Sequence, residues 1–338
     1  MSAITSQLRG ALLRSVSRSF YLSIRFLPAK LRDPIALAYL LARATDTIAD
    51  TAELEPSERM RHLETLARLI QGQGDRNAAR TLIVAFARLQ KNTAERTLIE
   101  QLPNCLQWLD LMATGDRADI REVLAKINEG QILDVERFGS SATVTALMTA
   151  ADLDRYTYLV AGCVGEFWTA ICSRHLPEFS KQSGQHMKTL AVEYGKGLQL
   201  INVLRDIGAD LQAGRCYLPA DELHSLGMTP ADLRQKAALA QPVFEQWRQR
   251  AETGISAGVD YACAIQPWRV RLATVLPALI GARTLALLRD TGVAAFDRKV
   301  KVSRGEVRGI LLTLFATFAS PGAIRKLFAQ LWPWRPGL

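Results

Sequence analysis

The chain has 338 residues, 49% of them hydrophobic, and carries a formal net charge of +9. This is enough apolar material to bury a large core, and the richness in Leu, Ala and Arg favours helices over sheet. Five scattered cysteines without a CxxC pair argue against a disulfide framework, and four distant histidines without HExxH argue against zinc. The basic charge suits an anionic partner, such as nucleic acid, a phosphorylated metabolite or an anionic membrane.

Helical periodicity recurs along most of the sequence. The first strongly periodic helix is predicted to begin at Pro34, a favourable first-turn residue, and to end near Asp50. Further helices are predicted over 56–71, 76–90, 93–113, 116–137, 150–174, 182–212, 230–258 and 263–290. Neither a long linker nor a repeat of fixed period divides the chain. The sequence therefore predicts an all-α fold with a single domain over residues 1–338.

Two Asp-x-x-x-Asp pairs lie within these apolar helices. They are Asp46/Asp50, in YLLARATDTIAD, and Asp206/Asp210, in LQLINVLRDIGADLQ. A spacing of four residues puts both carboxylates of a pair on one helix face, where the like charges repel. Because desolvation in an apolar setting adds to this cost, a cation is expected to compensate each pair.

Each aspartate pair ends a row of four polar residues on one helix face. The rows are Tyr39, Arg43, Asp46 and Asp50, and Gln199, Asn202, Asp206 and Asp210. Rows that face each other would line a cavity with carboxylates at one end, and such oxygen ligands suit Mg²⁺ with its waters and substrate phosphates. The cations expected to hold diphosphate oxygens are Arg43, Lys196, Arg205 and Arg215. Ordinary ion pairs to Arg43 and Arg205 are the alternative interpretation.

The C-terminal region is basic and amphipathic. No segment reaches the ~20 apolar residues of a membrane span, since GILLTLFATFA (309–319) is followed by Ser320-Pro321. Residues 321–338 combine Arg and Lys with Trp332 and Trp334, which predicts either a peripheral membrane contact or a terminal helix docked on the domain. Because no signal peptide opens the chain, a cytoplasmic location is expected, with or without contact to the cytoplasmic face of the membrane.

Four segments, taken in chain order, carry a family resemblance. They are SVSRSFYLSIRFLP (15–28), AYLLARATDTIADT (38–51), YTYLVAGCVGEFW (156–168) and YGKGLQLINVLRDIGADLQAGRCYLP (194–219). They resemble the N-terminal segment, the first aspartate-rich motif, the central tyrosine motif and the second aspartate-rich motif of the squalene and phytoene synthases, which are head-to-head trans-prenyltransferases. CAIQPWRV (263–270) and FDRKVKVSRGEV (296–307) resemble squalene synthases in particular, although Gln266 interrupts the expected Cys-Ala-Ile-Pro pattern.

The resemblance implies an isoprenoid-synthase-type helical bundle around a central cavity. It also implies that two farnesyl diphosphates join head-to-head to presqualene diphosphate, which NADPH then reduces to squalene. The implied ligands of Mg²⁺ are Asp46, Asp50, Asp206 and Asp210. The implied substrate-binding residues are Ser17, Ser19, Phe20, Arg43, Gln199, Asn202, Arg205 and Arg215. The implied catalytic residues are Tyr156, Tyr39 and Arg43, of which Tyr156 serves the proton transfer.

The site of NADPH is expected on a surface outside any Rossmann fold, because no GxGxxG turn follows a strand. Lys299, Lys301 and Arg304 lie in the segment that most resembles squalene synthases, and the resemblance implies that they meet the cofactor phosphates. A solvated run of surface charges is the alternative for these three residues.

Three other functions are left open by the sequence. A dehydrosqualene, phytoene or presqualene diphosphate synthase would use the same carboxylates and release another product. A non-catalytic assembly protein of the same fold is the second alternative, but such relatives lose aspartates from the paired motifs and all four are present here. A nucleic-acid binder fits the charge, yet the cations are dispersed and no binding motif occurs, so no nucleic-acid partner is expected.

Overall fold

Helices account for 79% of the chain in the computed structural model, which describes residues 3–17, 19–139 and 143–332. Within these ranges, β-structure is confined to one pair of two-residue parallel strands and one isolated bridge. The all-α prediction is therefore confirmed. The chain divides into two compact units: unit 1 is Met1–Ser140 with Ala170–His175, and unit 2 is Ser141–Thr169 with Leu176–Leu338. The single-domain organisation stays a prediction.

Unit 1 is built around a long, largely buried helix. Its helices are α1 (Ala3–Gln7), a π-helical turn (Leu8–Leu12), α2 (Leu13–Ser17), α3 (Ser19–Phe26), α4 (Ala29–Ala49), α5 (Pro56–Ile70), α6 (Arg76–Ala87), α7 (Thr93–Glu100), α8 (Leu102–Asp110) and α9 (Thr114–Phe138). Helix α4 packs against α5, α8 and α9. Its Leu37, Leu40 and Leu41 are fully buried, so burial of apolar side chains holds this helix in place.

Two predicted helix boundaries in unit 1 are wrong. Helix α4 begins at Ala29, one and a half turns before Pro34. A proline so close to the start removes a single hydrogen bond, and the fully buried Leu31 stabilises the added turn. The helix predicted over 93–113 is instead two helices that meet at Gln101, because Pro103 lies in the first turn of α8, where proline favours a new start.

Unit 2 contains the remaining elements. They are β1 (Thr145–Ala146), α10 (Ala150–Thr157), a π-helical turn (Tyr158–Gly162), α11 (Cys163–His175, whose last six residues belong to unit 1), α12 (Gly184–Gln212), β2 (Arg215–Cys216), α13 (Ala220–Ser225), 3₁₀ turns at Pro230–Arg234 and Ala237–Ala240, α14 (Gln241–Ala264), α15 (Trp268–Thr291), a 3₁₀ turn at Gly292–Phe296, α16 (Arg304–Ala316) and α17 (Pro321–Leu331). The helix predicted over 230–258 thus begins only at Gln241, where Pro242 occupies the first turn.

Helices α12 and α14 cross at a pair of glycines. A Cβ atom at Gly197 would lie 2.8 Å from Gly254 Cα, so a side chain at either position would push the helices apart. The Tyr194 hydroxyl donates a hydrogen bond to the Thr274 carbonyl of α15 at 2.9 Å. These contacts fix the position of α12, which carries the second aspartate pair.

One apolar stretch differs from the sequence prediction about membrane spans. Among the described residues, Trp268–Phe296 is long and apolar enough to cross a membrane, with a mean hydropathy of 1.5. However, 72% of its most apolar window is buried inside the protein. A helix surrounded by other helices is apolar on all sides, and α15 packs against α12, α14, α16 and α17. The stretch is therefore a core helix of unit 2.

The C-terminal helix α17 packs against α14 and α15. Just beyond its end, Trp332 is only 8% exposed, and its ring lies 4.6 Å from the Arg289 guanidinium and 5.2 Å from that of Arg248. For residues 321–332 the docked-helix alternative therefore describes the structure. Trp334 lies outside the described residues, and membrane contact by the tail 321–338 stays a prediction.

Candidate active site

The first polar row lies along the least buried face of α4. All four members, Tyr39, Arg43, Asp46 and Asp50, keep partial or full exposure. Neighbours on the other faces, such as Leu40, Ala44 and Ile48, are fully buried. The helical spacing of the sequence therefore places the two carboxylates where a ligand can reach them.

Asp46 lies between an amide and a guanidinium. Its Oδ1 accepts a hydrogen bond from Gln131 Nε2 of α9, and its Oδ2 is 3.8 Å from Arg43 Nη1. The side chain keeps 45% of its surface, yet desolvation by the surrounding protein and the negative charge of Asp50 raise the pKa of Asp46 to about 6. The raised pKa means that the ionised form of this accessible carboxyl group is destabilised, so a bound cation would stabilise it.

Arg43 is held by a residue that the sequence did not point to. Its Nη2 donates to Glu95 Oε1 of α7 at 2.6 Å. Glu95 and Gln131 lie 52 and 85 residues from their partners in the first row. Sequence reasoning missed both, because no local spacing links them to α4 and only the packing of α7 and α9 brings them there.

Two other expected residues of unit 1, Tyr39 and Ser17, bond backbone carbonyls. The Tyr39 hydroxyl donates to the Val16 carbonyl at 3.3 Å, and burial raises the pKa of this phenol. Ser17 is buried, and its hydroxyl donates to the Leu13 carbonyl at 2.5 Å within its own helix. The side chains of Ser19 and Phe20 lie outside the described part of the structure. The substrate roles of all these residues stay predictions.

The second pair, on α12, is surrounded by arginines. Arg205 donates from Nε to Asp206 Oδ1 at 3.0 Å and from Nη2 to Asp206 Oδ2. Arg215 Nη2 lies 3.2 Å from Asp210 Oδ1. Each carboxylate of this pair therefore has a guanidinium of its own, as the ion-pair interpretation expects for Arg205.

Arg215 reaches Asp210 through a short parallel strand pairing. After α12 the chain reverses at Gly214, whose φ of +79° is readily adopted only by glycine. Strand β2 then pairs with β1 in the register Thr145↔Arg215, and the Thr145 N–H donates to the Gly214 carbonyl at 2.9 Å. This pairing returns Arg215 to the end of α12, beside Asp210.

The N-terminal half of the second row is polar and partly exposed. Asn202 Nδ2 donates to Gln199 Oε1 at 3.2 Å. Lys196, expected among the diphosphate cations, is buried, and its Nζ lies 2.6 Å from Asp154 Oδ1 and 3.5 Å from Glu193 Oε1. Since it is also about 15 Å along α12 from Asp206, Lys196 belongs to a separate ion-pair cluster.

Tyr156 stacks on Tyr217, with ring centroids 5.0 Å apart and an angle of 24° between the rings. Tyr217 is buried and comes two residues after Arg215, so the strand pairing that positions Arg215 also fixes this ring. Tyr156 lies two residues before the π-helical turn, a feature that recurs at functional sites. Sequence reasoning missed Tyr217, although it lies inside the quoted second aspartate-rich segment.

The basic segment before α16 is extended and alternates in burial. Val300 and Val302 are buried, so Lys299 and Lys301 are exposed, as is Arg304 at the start of α16. The Ser303 hydroxyl and Glu306 cap this helix reciprocally. Three exposed cations within six residues fit a phosphate-bearing cofactor, and equally fit a solvated surface.

The donor set of the first pair fits Mg²⁺. Across residues 3–17, 19–139 and 143–332, no three His, Cys, Asp or Glu side chains cluster as a metal site. Mg²⁺ needs only one or two carboxylates beside water and substrate phosphates. The buried Gln131 Oε1, which has no hydrogen-bond partner, adds an oxygen next to Asp46. That the two polar rows line one cavity stays a prediction.

Sequence comparisons relate the chain to two kinds of enzyme. The family model for squalene/phytoene synthase matches residues 13–306. The bifunctional lycopene cyclase/phytoene synthase of Colletotrichum graminicola is 31% identical over 233 residues, 66% of this chain and 36% of that protein. The phytoene synthase of Arthrospira platensis is 29% identical over 275 residues, 77% of each. Squalene synthase ERG9 of Saccharomyces cerevisiae is 28% identical over 216 residues, 62% of this chain and 44% of that protein.

Solved structures share the fold. A ligand complex of the squalene synthase TcSQS has a TM-score of 0.77 at 20% identity, covering 98% of this chain and 90% of that one. A dehydrosqualene synthase in complex with ligand has a TM-score of 0.58 at 21% identity, covering 94% and 96%. The predicted isoprenoid-synthase-type fold is confirmed by these likenesses.

Proposed function

The chain belongs to the squalene/phytoene synthase family of prenyltransferases, and on that premise we propose that it is a squalene synthase. It would join two molecules of farnesyl diphosphate head-to-head to presqualene diphosphate, and reduce this to squalene with NADPH. The observation that carries the prenyltransferase chemistry is the presence of two polar rows, each ending in a carboxylate pair on a partly exposed helix face, and the exposed cations Lys299, Lys301 and Arg304 support squalene synthase among its siblings.

The four paired aspartates would bind Mg²⁺ together with the diphosphate. When bound, Mg²⁺ supplies positive charge that stabilises the departing diphosphate. Arg43, Arg205 and Arg215 each lie beside one of these carboxylates, and their N–H groups would also donate to diphosphate oxygens. The arginines thus neutralise charge that accumulates as the carbon–oxygen bond breaks.

Tyr156 would move the proton that is lost when the cyclopropane closes. A phenol with an ordinary pKa of about 10 is a weak base, so the departed diphosphate would be the final acceptor. Stacking on Tyr217 orients the ring of Tyr156. Tyr39, whose pKa burial raises, would stay a neutral hydrogen-bond donor in the first row.

The reductive step is assigned to the basic segment with Lys299, Lys301 and Arg304, whose exposed cations would meet the phosphates of NADPH. Changing Lys301 and Arg304 together to Gln should leave consumption of farnesyl diphosphate nearly unchanged. Squalene should fall, and presqualene diphosphate or unreduced products should accumulate. Unchanged squalene output at limiting NADPH would place the cofactor elsewhere and remove the main support for squalene synthase over its siblings.

Product analysis by gas chromatography tests the whole proposal. The protein is incubated with farnesyl diphosphate and Mg²⁺, with and without NADPH. Squalene that forms only with NADPH supports squalene synthase. Dehydrosqualene, or presqualene diphosphate that persists with the cofactor, assigns one of the sibling activities. Absence of any diphosphate release from farnesyl or geranylgeranyl diphosphate favours the non-catalytic assembly protein.

A cytoplasmic location with peripheral membrane contact is part of the proposal. All five cysteines are free thiols, as expected in a reducing compartment. On α16, Leu312 is 71% exposed and Arg308 adds an exposed cation, and in the turn after this helix Phe318 is 64% exposed. Phe318 and Ala319 both have positive φ, and the Phe318 ring contacts Trp268 edge-to-face with ring centroids 5.5 Å apart.

Vesicle sedimentation tests this contact. Changing Leu312 to Gln and Phe318 to Ser should reduce binding to vesicles that contain anionic lipid, while the matched exposed change Val84→Gln in unit 1 should not. Equal sedimentation of both variants and the wild type would contradict the contact.

A further inference from the structure

Gln131 of α9 is bonded to the first carboxylate of the first pair. Its Nε2 donates to Asp46 Oδ1, and the residue is 7% exposed. On the basis of the function proposed above, we propose that Gln131 is a positioning residue that fixes Asp46 and extends the oxygen donors available to a divalent cation at the first pair. Asp46 Oδ2 is left on the side of Arg43.

The second observation is an orphaned oxygen on the same amide. Gln131 Oε1 is buried and has no hydrogen-bond partner. Asn128 Oδ1, three residues earlier on the same face of α9, is likewise buried without a partner. Buried carbonyl oxygens are nearly always satisfied, so two on one face call for an explanation. For Gln131, which bonds Asp46, a hydrated cation at the first pair supplies it, since the cation or its water would satisfy the Oε1 atom.

The neutral amide suits this position better than a charged side chain. A lysine here would cancel the charge of the pair and compete with the cation. A glutamate would add a third negative charge beside Asp46 and Asp50. Glutamine fixes one carboxylate oxygen by donation and leaves the double negative charge of the pair in place. The second pair has the opposite arrangement, because Arg205 bonds both oxygens of Asp206.

The test compares Gln131→Met with the wild type in two measurements. The first is the rise in melting temperature caused by MgCl₂ with inorganic diphosphate, relative to EDTA. The second is the Mg²⁺ concentration that gives half-maximal consumption of farnesyl diphosphate. Loss of a group that orients a metal ligand typically weakens the metal about tenfold or more. Gln131→Met should therefore raise the half-saturating Mg²⁺ concentration about tenfold. It should also reduce the rise in melting temperature that MgCl₂ with diphosphate causes.

The matched control is Gln71→Met. Gln71 also uses its amide to bond α9, donating to the Arg121 carbonyl at 2.9 Å, but it does not contact the first pair. Gln71→Met should change the melting temperature in EDTA, but neither the Mg²⁺ requirement nor the rise in melting temperature caused by MgCl₂ with diphosphate. An unchanged Mg²⁺ requirement and ligand-induced rise in Gln131→Met would overturn the proposal and reduce Gln131 to a packing role.

A second variant keeps the proposal testable if Gln131→Met does not fold. Gln131→Asn keeps an amide but draws it back from Asp46 by one methylene, so it should also raise the half-saturating Mg²⁺; an unchanged or lower value overturns the proposal. The proposed reaction is judged separately. A wild type stabilised by Mg²⁺ and diphosphate that makes no terpene product refutes the reaction alone. Normal turnover with identical Mg²⁺ dependence in all variants refutes the role of Gln131 alone.

Discussion

Asp46 on α4 and Asp206 on α12 each begin a pair of the same spacing, in surroundings of different charge. Arg205 bonds both oxygens of Asp206, whereas Arg43 is 3.8 Å from Asp46 and is itself bonded to Glu95. Asp46 is bonded to a neutral amide, and its pKa is raised. The comparison teaches that two copies of the same Asp-x-x-x-Asp motif can form sites with different electrostatic surroundings. The first favours a cation, and the second already carries the donors that an anion needs.

Removing one carboxylate should have the largest effect in either pair. Asp46→Asn and Asp206→Asn should each lower diphosphate release at limiting Mg²⁺ by at least about a hundredfold, because transition-state charge loses a stabilising group. Pyrophosphate detection measures this, and far-UV circular dichroism checks folding. Glu58→Gln, at an exposed acid of unit 1, is the control. Near-wild-type release by either variant would refute a metal role for that pair.

Removing the guanidinium of the second pair should have the next largest effect. A hydrogen bond to a charged group contributes about 1.5–3 kcal/mol, so Arg205→Gln should weaken the use of farnesyl diphosphate by about tenfold to a hundredfold. The loss should appear in kcat/KM for the substrate rather than in the Mg²⁺ requirement. A changed Mg²⁺ requirement with unchanged kcat/KM would reverse the assignment of the two pairs.

Neutralising Glu95 should strengthen the binding of an anionic substrate beside the first pair, where Arg43 is held by Glu95. Glu95 holds Arg43 in a partly exposed ion pair, and such pairs are worth up to about 1 kcal/mol. Glu95→Gln frees Arg43 and removes a negative charge, so KM for farnesyl diphosphate should fall about twofold to fivefold. Glu193→Gln, which removes an acid beside Lys196 and Arg250, is the matched control in unit 2. A higher KM in Glu95→Gln would mean that Glu95 orients Arg43 for substrate.

The smallest expected difference concerns stability in metal-free protein. The pKa of Asp46 rises from 3.8 to about 6 on folding, so the native state binds more protons between these values and loses stability as pH rises through that window. Solvent screens this partly exposed group, so Asp46→Asn should melt only about 2 °C higher than wild type above pH 6, and equally below pH 4. Asp206→Asn, which removes the negative charge that Arg205 pairs with, should not melt higher. Calorimetry in EDTA decides between these outcomes.

The sequence was sufficient for what depends on local spacing. A step of three or four residues puts Asp46, Asp50 and Arg43 on one face of α4, and the structure leaves that face the least buried. The fold class followed in the same way from helical periodicity. The predicted helix boundaries were wrong where a proline could lie either at the start of a helix or inside it. Pro34 is tolerated inside α4 because its missing hydrogen-bond donor affects only the first turns.

The partners of the site residues could not be predicted. Gln131 and Glu95 reach the first row only because α9 and α7 pack beside α4, and Tyr217 reaches Tyr156 through the strand pairing of β1 and β2. Lys196 was assigned to diphosphate from its position on α12, but Asp154 bonds it elsewhere. The sequence of one helix shows which polar residues share a face. Their tertiary partners decide which of these residues remain available to bind a ligand.

The glycine crossing of α12 and α14 makes the second pair adjustable from a distance. Gly197 lies about 14 Å along α12 from Asp206, and a methyl group there meets Gly254 at 2.8 Å. Because a helix is stiff, a small tilt of α12 at the crossing also displaces its far end, which carries Asp206. On the proposed function, Gly197→Ala is therefore expected to change the use of farnesyl diphosphate through the position of Asp206, although no residue of the second polar row is replaced.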